Sequence, residues 1–130
     1  MISDLGGTTI QLVSTALDAA SLRHMVIANN VANVSSQNYT PLKVSFENQL
    51  AAVEGDLLSR KDDGTLTARL ASIKPSIETD PMADSGNNPG VKLDMEMARM
   101  AQNVVHYQAL LKGLASEMSV IRLAVNEGRR

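Results

Sequence analysis

The stretch Asn29–Pro41 reads NNVANVSSQNYTP and marks the point where a long apolar segment stops. Asn tolerates the left-handed backbone conformation that closes helices, and Asn and Ser side chains compete for backbone hydrogen bonds. Pro41 also disfavours a helical conformation at Thr40. The stretch therefore predicts a helix that ends near Asn33 and is followed by a polar turn.

The segment before this stretch has the apolar spacing of a helix, which we expect to begin at Thr8 or Thr9. Between Thr9 and Asn33 the only charged residues are Asp18 and Arg23, and small or apolar residues fall on several faces. Such a helix needs neighbours on several sides. Its main stripe consists of Ile10, Val13, Leu17, Ala20, His24, Ile27 and Val31.

The C-terminal part of the chain carries a longer apolar pattern, in which steps of four and three residues alternate without a break. A helix over 93–125 is roughly 50 Å long at about 1.5 Å per residue, longer than a small globule is wide. The pattern predicts a heptad seam that is buried against the N-terminal helix or a neighbouring subunit. The seam consists of Leu93, Met97, Met100, Val104, Tyr107, Leu111, Leu114, Met118, Ile121 and Val125.

The region between the two helices is rich in turn formers. Residues 54–90 hold seven of the 14 acidic residues and three of the four prolines. An alternation of apolar and polar residues at 65–70 predicts a strand or hairpin arm, and 78–90 has the composition of an exposed loop.

These patterns predict a mainly α fold, in which two long N- and C-terminal helices pair as an antiparallel coiled coil. An irregular or short β-hairpin insert is expected between them. The predicted segments are a flexible N-terminal segment at 1–8, the first helix and its turn at 9–50, the insert at 51–90 and the heptad helix at 91–130.

Composition argues against several classes of function. A formal charge of −2 gives no basic face for nucleic acid, and the chain has no cysteine for a disulfide or a thiolate metal site. His24 and His106 are the only histidines and do not have metal-binding spacing, so we expect His24 to be packed or at an interface. No nucleophile motif or phosphate loop is present. We therefore predict no enzyme, no cofactor and no metal.

The N-terminus shows no sign of a cleavable signal or a membrane anchor. It has no positive region before its apolar residues, and its uncharged run, Leu5–Leu17, is too short to span a bilayer. Neither a cleavable signal peptide nor direct membrane insertion is expected.

Two stretches resemble the flagellar basal-body rod protein family, and within it the proximal rod proteins. At the end of the first helix, Asn29–Asn33 (NNVAN) matches the family's pattern, whereas 36–39 (SQNY) stands where Thr-Pro-Gly-Tyr is usual. Asn38 can adopt the positive φ that the family's Gly supplies. Near the C-terminus the matching residues are Gly86, Asn87, Asn88, Val91, Leu93, Asp94, Glu96, Met97, Asn103 and 107–110 (YQAL), with Pro89 and Gly90 as an insertion.

The resemblance implies an axial structural protein that self-associates in a helical rod crossing the periplasm. It also implies export through the flagellar export apparatus, with 1–8 as the export segment, and contacts with other rod subunits and with the inner-membrane ring and its rod adaptor protein. The candidate assembly residues are Ile10, Val13, Leu17, Ile27, Asn29, Asn30, Val31, Asn33, Tyr39, Met97, Val104, Tyr107, Leu111, Leu114, Met118 and Ile121.

Two alternatives stay open at this point. Another flagellar rod or axial subunit has the same helical signature. A helical adaptor or chaperone that binds a partner helix belongs to a different class, and its methionines, at 95, 97, 100 and 118, would line an adaptable groove.

Overall fold

A computed structural model of the chain describes residues 2–59, 64–80 and 91–128. The described part is mainly helical and is framed by two long helices, one at each end. In chain order the elements are α1 (Ile2–Ala32), β1 (Leu42–Ser45), α2 (Glu47–Ser59), α3 (Gly64–Ser72), β2 (Ser76–Thr79) and α4 (Leu93–Glu127).

Helix α1 ends where the Asn-rich stretch predicts. The Asn33 side chain donates through Nδ2 to the Asn29 carbonyl oxygen at 2.9 Å, next to the Asn33 backbone N–H, which bonds the same oxygen at 3.1 Å. Asn38 has a φ of 61°. The left-handed conformation expected of Asn38 is therefore confirmed.

The start of α1 differs from the prediction, because the helix begins at Ile2 rather than at Thr8 or Thr9. Residues 2–8, predicted to be flexible, are helical. Once a helix is nucleated, each further residue adds one hydrogen bond at modest entropic cost, so weak helix formers such as Gly6 and Gly7 can be included.

The two strands form a small antiparallel sheet. Leu42 pairs with Thr79 and Ser45 pairs with Ser76, and one further bond, from the Asp80 N–H to the Pro41 carbonyl at 2.9 Å, extends the pairing. The strand predicted at 65–70 was wrong, because these residues lie within α3. Six alternating residues do not separate strand from helix, and apolar residues four apart, at 66 and 70, also fit a helix.

The hydrophobic core is small and lies between α1 and the insert. Ala19, Phe46 and Ile73 form a buried cluster. Partly buried apolar side chains that pack against it are Leu12, Ala16, Leu50, Val53 and Leu70. One face of α1 is therefore covered by α2 and α3.

The other face of α1 packs against α4, and the two helices run in opposite directions. Asn30 near the end of α1 contacts Glu96 near the start of α4, whereas Ala20, earlier in α1, contacts Asn103, later in α4. The two ends of the chain thus form one antiparallel helix pair.

The face of α4 that packs on α1 is not the predicted seam. Glu96 and Asn103 are its buried residues, while Met100 and Leu114 of the seam are half-buried. The remaining seam residues are exposed in the single chain: Leu93, Met97, Val104, Tyr107, Leu111, Met118, Ile121 and Val125. Most of the seam is therefore not buried against α1, and its burial against a neighbouring subunit stays a prediction. The heptad pattern counts apolar side chains, whereas Glu96 and Asn103 are buried because they find hydrogen-bond partners.

Of the two places expected for His24, packing within the chain is not found, and a place at an interface stays a prediction. His24 is exposed, while its neighbours Val26 and Ile27 are buried. The buried face of α1 is shifted from the predicted stripe, so His24 is not packed within the chain.

Candidate functional site

Asn30 is the centre of a buried polar network that joins the two terminal helices. Its side chain has no solvent exposure. Nδ2 donates to the Leu42 carbonyl at 2.8 Å and to Glu96 Oε2 at 3.0 Å, and Oδ1 accepts from the Leu42 N–H and the Tyr39 hydroxyl, both at 3.0 Å. A side-chain amide offers two donor hydrogens and two acceptor lone pairs, so Asn30 is fully satisfied.

Glu96 continues this network to the insert. Glu96 is 3% exposed, and its Oε1 accepts a 2.8 Å bond from Arg99 Nη1, which also bonds Asp80 Oδ2 at 2.7 Å. Asp80 is buried and directly follows β2. Two carboxylates thus share one guanidinium, and a buried charge is tolerated when it is paired and hydrogen-bonded in this way.

The network changes the ionisation of two of its members. Burial, and secondarily the charge of Glu96, raises the pKa of Tyr39 above its ordinary value, so the hydroxyl stays protonated and remains a donor. Burial disfavours the charged form of Arg99, but hydrogen bonds and charge from Asp80, and then from Glu96, outweigh it and raise the pKa of the guanidinium.

Asn103 is a second buried amide between α1 and α4. Nδ2 donates to the Ala20 carbonyl at 2.8 Å, whereas Oδ1 is buried and has no partner among the described residues. A buried acceptor without a donor costs about 1–3 kcal/mol. Asn103 therefore links α4 to α1 through its Nδ2, while its Oδ1 lowers the stability of the pair.

A groove of about 920 Å3 opens beside this network, between α1, β1 and α4. We call it the sheet-side groove. Its apolar lining comes from Val26, Ile27, Val44 and Ala109, among others. Its charged lining is balanced, with three cations (Arg23, Lys43 and Arg99) and three carboxylates (Glu47, Asp80 and Glu96). Arg23 pairs with Glu47 at 2.6 Å across one wall.

The structure separates the predicted assembly residues into three groups. Asn30 and Tyr39 belong to the internal network, and Asn29 and Asn33 close α1. Ile27 is buried, and the half-buried members outside the network are Ile10, Val13, Leu17, Val31 and Leu114. The exposed members of α4 are Met97, Val104, Tyr107, Leu111, Met118 and Ile121. Whether any of them contacts another subunit stays a prediction.

Glu96, Arg99, Asp80 and Asn103 were not predicted as site residues. Glu96 and Asn103 are seven residues apart, so they lie on one face of a helix. This heptad spacing of polar residues is a signal that could have found them. No local sequence signal marks Asp80, because it reaches α4 through its position directly after β2.

Two features of the described residues bear on other functions. Within 2–59, 64–80 and 91–128, no group of three or more His, Asp or Glu side chains is arranged to hold a metal ion. In the same part of the chain no helix combines the length and apolar character needed to cross a bilayer.

An antiparallel frame of two long helices, joined by a buried polar network, defines a mainly helical protein. Three relatives are similar to this chain in sequence, and each is described as flagellar basal body rod protein FlgB. The Bacillus subtilis protein is 34% identical over 128 residues, covering 93% of this chain and 95% of the relative. The proteins of Borreliella burgdorferi (32% identical, covering 72% of this chain and 78% of the relative) and Borrelia hermsii (30%, covering 90% and 95%) are also similar.

The chain belongs to the FlgB family of flagellar basal body rod proteins. No protein-family profile matches it. The resemblance of its two terminal stretches to rod proteins is therefore confirmed by whole-chain identity.

Proposed function

We propose that the chain is a structural subunit of the proximal rod of the bacterial flagellar basal body, where it polymerises through its terminal helices and transmits torque. The observation that carries the proposal is 34% identity to a FlgB protein over 93% of the chain. An identity that extends through both terminal helices includes the surfaces through which such a subunit would assemble.

The shape of the single chain supports an assembling role. Helix α4 exposes apolar side chains along its whole length, from Leu93 at 46% exposure to Val125 at 62%. Exposed apolar surface of this extent marks an interaction site. In the proposal, α1 and α4 form an antiparallel coiled coil whose second apolar face is completed by neighbouring subunits.

The same proposal covers partners and location. The subunit contacts other rod subunits, the inner-membrane ring with its rod adaptor protein, and, during delivery, the flagellar export apparatus. It leaves the cytoplasm without a cleavable signal peptide and ends in the periplasmic part of the basal body.

A deletion of this chain in its source organism tests the proposal. Cells are scored for swimming, and isolated basal bodies are imaged by electron microscopy. The expected result is loss of motility, with inner-membrane rings present and no rod. Normal rods and normal swimming in the deletion strain would overturn the role.

Export is tested separately by removing residues 2–7, which lie before the main contacts of α1. The shortened chain is expected to remain in the cytoplasm, while the full chain is secreted. Delivery of the shortened chain to the rod at normal levels would show that residues 1–8 are not the export segment.

A further inference from the structure

We infer that the sheet-side groove receives α4 of a second copy of this chain, so that copies associate side by side. This inference rests on the proposed function and names the surfaces through which like subunits meet. The surface that enters the groove is a row on α4 formed by Met97, Val104, Leu111, Met118 and Val125, which we call the α4 ridge.

The α4 ridge consists of exposed, uncharged side chains that recur once per heptad. Its five members are spaced seven residues apart and are 40–62% exposed. Residues seven apart on a helix stay on nearly one face, with a drift of about 20° per heptad. The row therefore presents one long apolar edge, of the kind that packs into the groove of another helical surface.

The sheet-side groove matches this edge in character. Its apolar lining includes Val26, Ile27 and Val44. Five of its six charged side chains form two clusters, Arg23 with Glu47, and Arg99 with Asp80 and Glu96, and the sixth is Lys43. Because the charges balance, the groove favours an uncharged occupant over a strongly acidic or basic one.

The groove and the ridge lie on opposite sides of α4, which makes their contact repeatable. Gln102 and Ala109 line the groove, and Val104 lies on the ridge. Two residues along an α-helix correspond to about 200°, so Gln102 and Val104 point in nearly opposite directions. One copy can fill a neighbour's groove with its ridge and still offer its own groove to a third copy.

A contact between two different surfaces of the same chain is heterologous, and it generates a ring or an open helix rather than a closed dimer. The ends of the series then present an empty groove on one side and a bare ridge on the other. The pairing thus gives side-by-side association a direction.

Cysteine crosslinking tests the pairing cleanly, because the chain has no cysteine of its own. A full-length variant with Lys43→Cys in the groove and Leu111→Cys on the ridge is assembled in cells that lack the native protein. Basal bodies are isolated and treated with a short bifunctional maleimide. The expected result is a ladder of linked dimers, trimers and longer products of this chain.

The matched control combines Lys43→Cys with Asp18→Cys, an exposed position on α1. Single-cysteine variants stop at dimers and calibrate the ladder. If the chain is present in rods but the groove–ridge pair yields no more trimers than the control, the pairing is wrong and the rod role stands. If the native chain is absent from basal bodies, the rod role fails, and this inference fails with it.

Discussion

The amide of Asn30 lies 3.0 Å from the carboxylate of Glu96, a residue 66 positions further along the chain. This bond ties the last turn of α1 to the first turn of α4. Since both side chains are buried, each depends on the other to avoid an unpaired polar group.

Replacing Asn30 by Leu should therefore be strongly destabilising. The change leaves one Glu96 oxygen and both backbone groups of Leu42 without the partners they have now, and we expect a loss of about 3 kcal/mol or more. Urea unfolding of the purified protein measures it. The control is Asn29→Ala at the exposed neighbouring position, expected to cost less than about 1 kcal/mol. Equal losses for the two variants would refute the central role of Asn30.

Tyr39→Phe tests the raised pKa of the Tyr39 hydroxyl. At neutral pH, loss of the bond to Asn30 Oδ1 should cost about 1 kcal/mol. In the unfolded chain the hydroxyl ionises near pH 10.0, whereas in the folded chain its pKa is higher. The native protein should therefore lose stability as the pH rises from 10.0 towards the folded pKa, since the unfolded state releases the proton first. The variant should lack this part of the alkaline loss, so the two stability curves converge. Parallel curves through this range would contradict the burial of Tyr39.

Arg99→Met removes the guanidinium that bridges Asp80 and Glu96. The two buried carboxylates then lose the guanidinium that they share. After allowance for the 33% exposure of the Arg99 side chain, we expect a loss of about 2–4 kcal/mol. Arg23→Met breaks the more exposed pair with Glu47 and should cost no more than about 1 kcal/mol. Thermal unfolding ranks the stability of the two variants. A larger loss of stability for Arg23→Met than for Arg99→Met would contradict the greater importance of the Arg99 cluster.

Leu111→Asp separates folding from assembly. Leu111 is 43% exposed in the single chain, so the substitution should change the stability of the dilute protein by only about 0.5 kcal/mol. In a rod, the same carboxylate would be buried in an apolar interface, which is costly without a partner. We expect the variant to be secreted normally but to build no rod.

Lys112→Asp is the matched control, one residue away and pointing away from the α4 ridge. It should leave rods and swimming largely intact. If Leu111→Asp cells swim normally while Lys112→Asp cells do not, the assignment of this face of α4 to assembly is mistaken.

Local signals in the sequence predicted where helices end better than they predicted how the helices and strands pack together. The end of α1, the positive φ of Asn38 and the long C-terminal helix all depend on residues close in sequence, and all three are found. The pairing of β1 with β2 joins residues more than 30 positions apart, and no local pattern encodes it. Two helices in the insert were missed because that region is rich in turn formers, and tertiary packing against Phe46 overrides weak helix propensity there.

The heptad pattern did not predict which face of α4 packs on α1, and the reason is different. The heptad reading ranks positions by apolarity and so assigned burial to Val104 and Leu111. In the single chain, burial instead follows hydrogen-bonding opportunity, at Glu96 and Asn103. The apolar pattern is consistent with side chains that are buried only when a second chain covers them.

Because α4 leaves most of its apolar side chains uncovered, the folding equilibrium of this chain is linked by mass action to the concentration of whatever covers them. A neighbour that binds this face only in the folded chain, at a thousand times its dissociation constant, raises the free energy of unfolding by about 4 kcal/mol. The apparent melting temperature then depends on subunit concentration and on whether both the sheet-side groove and the α4 ridge are occupied. A subunit inside a series is held more firmly than one at its end, so dissociation proceeds from the ends inward.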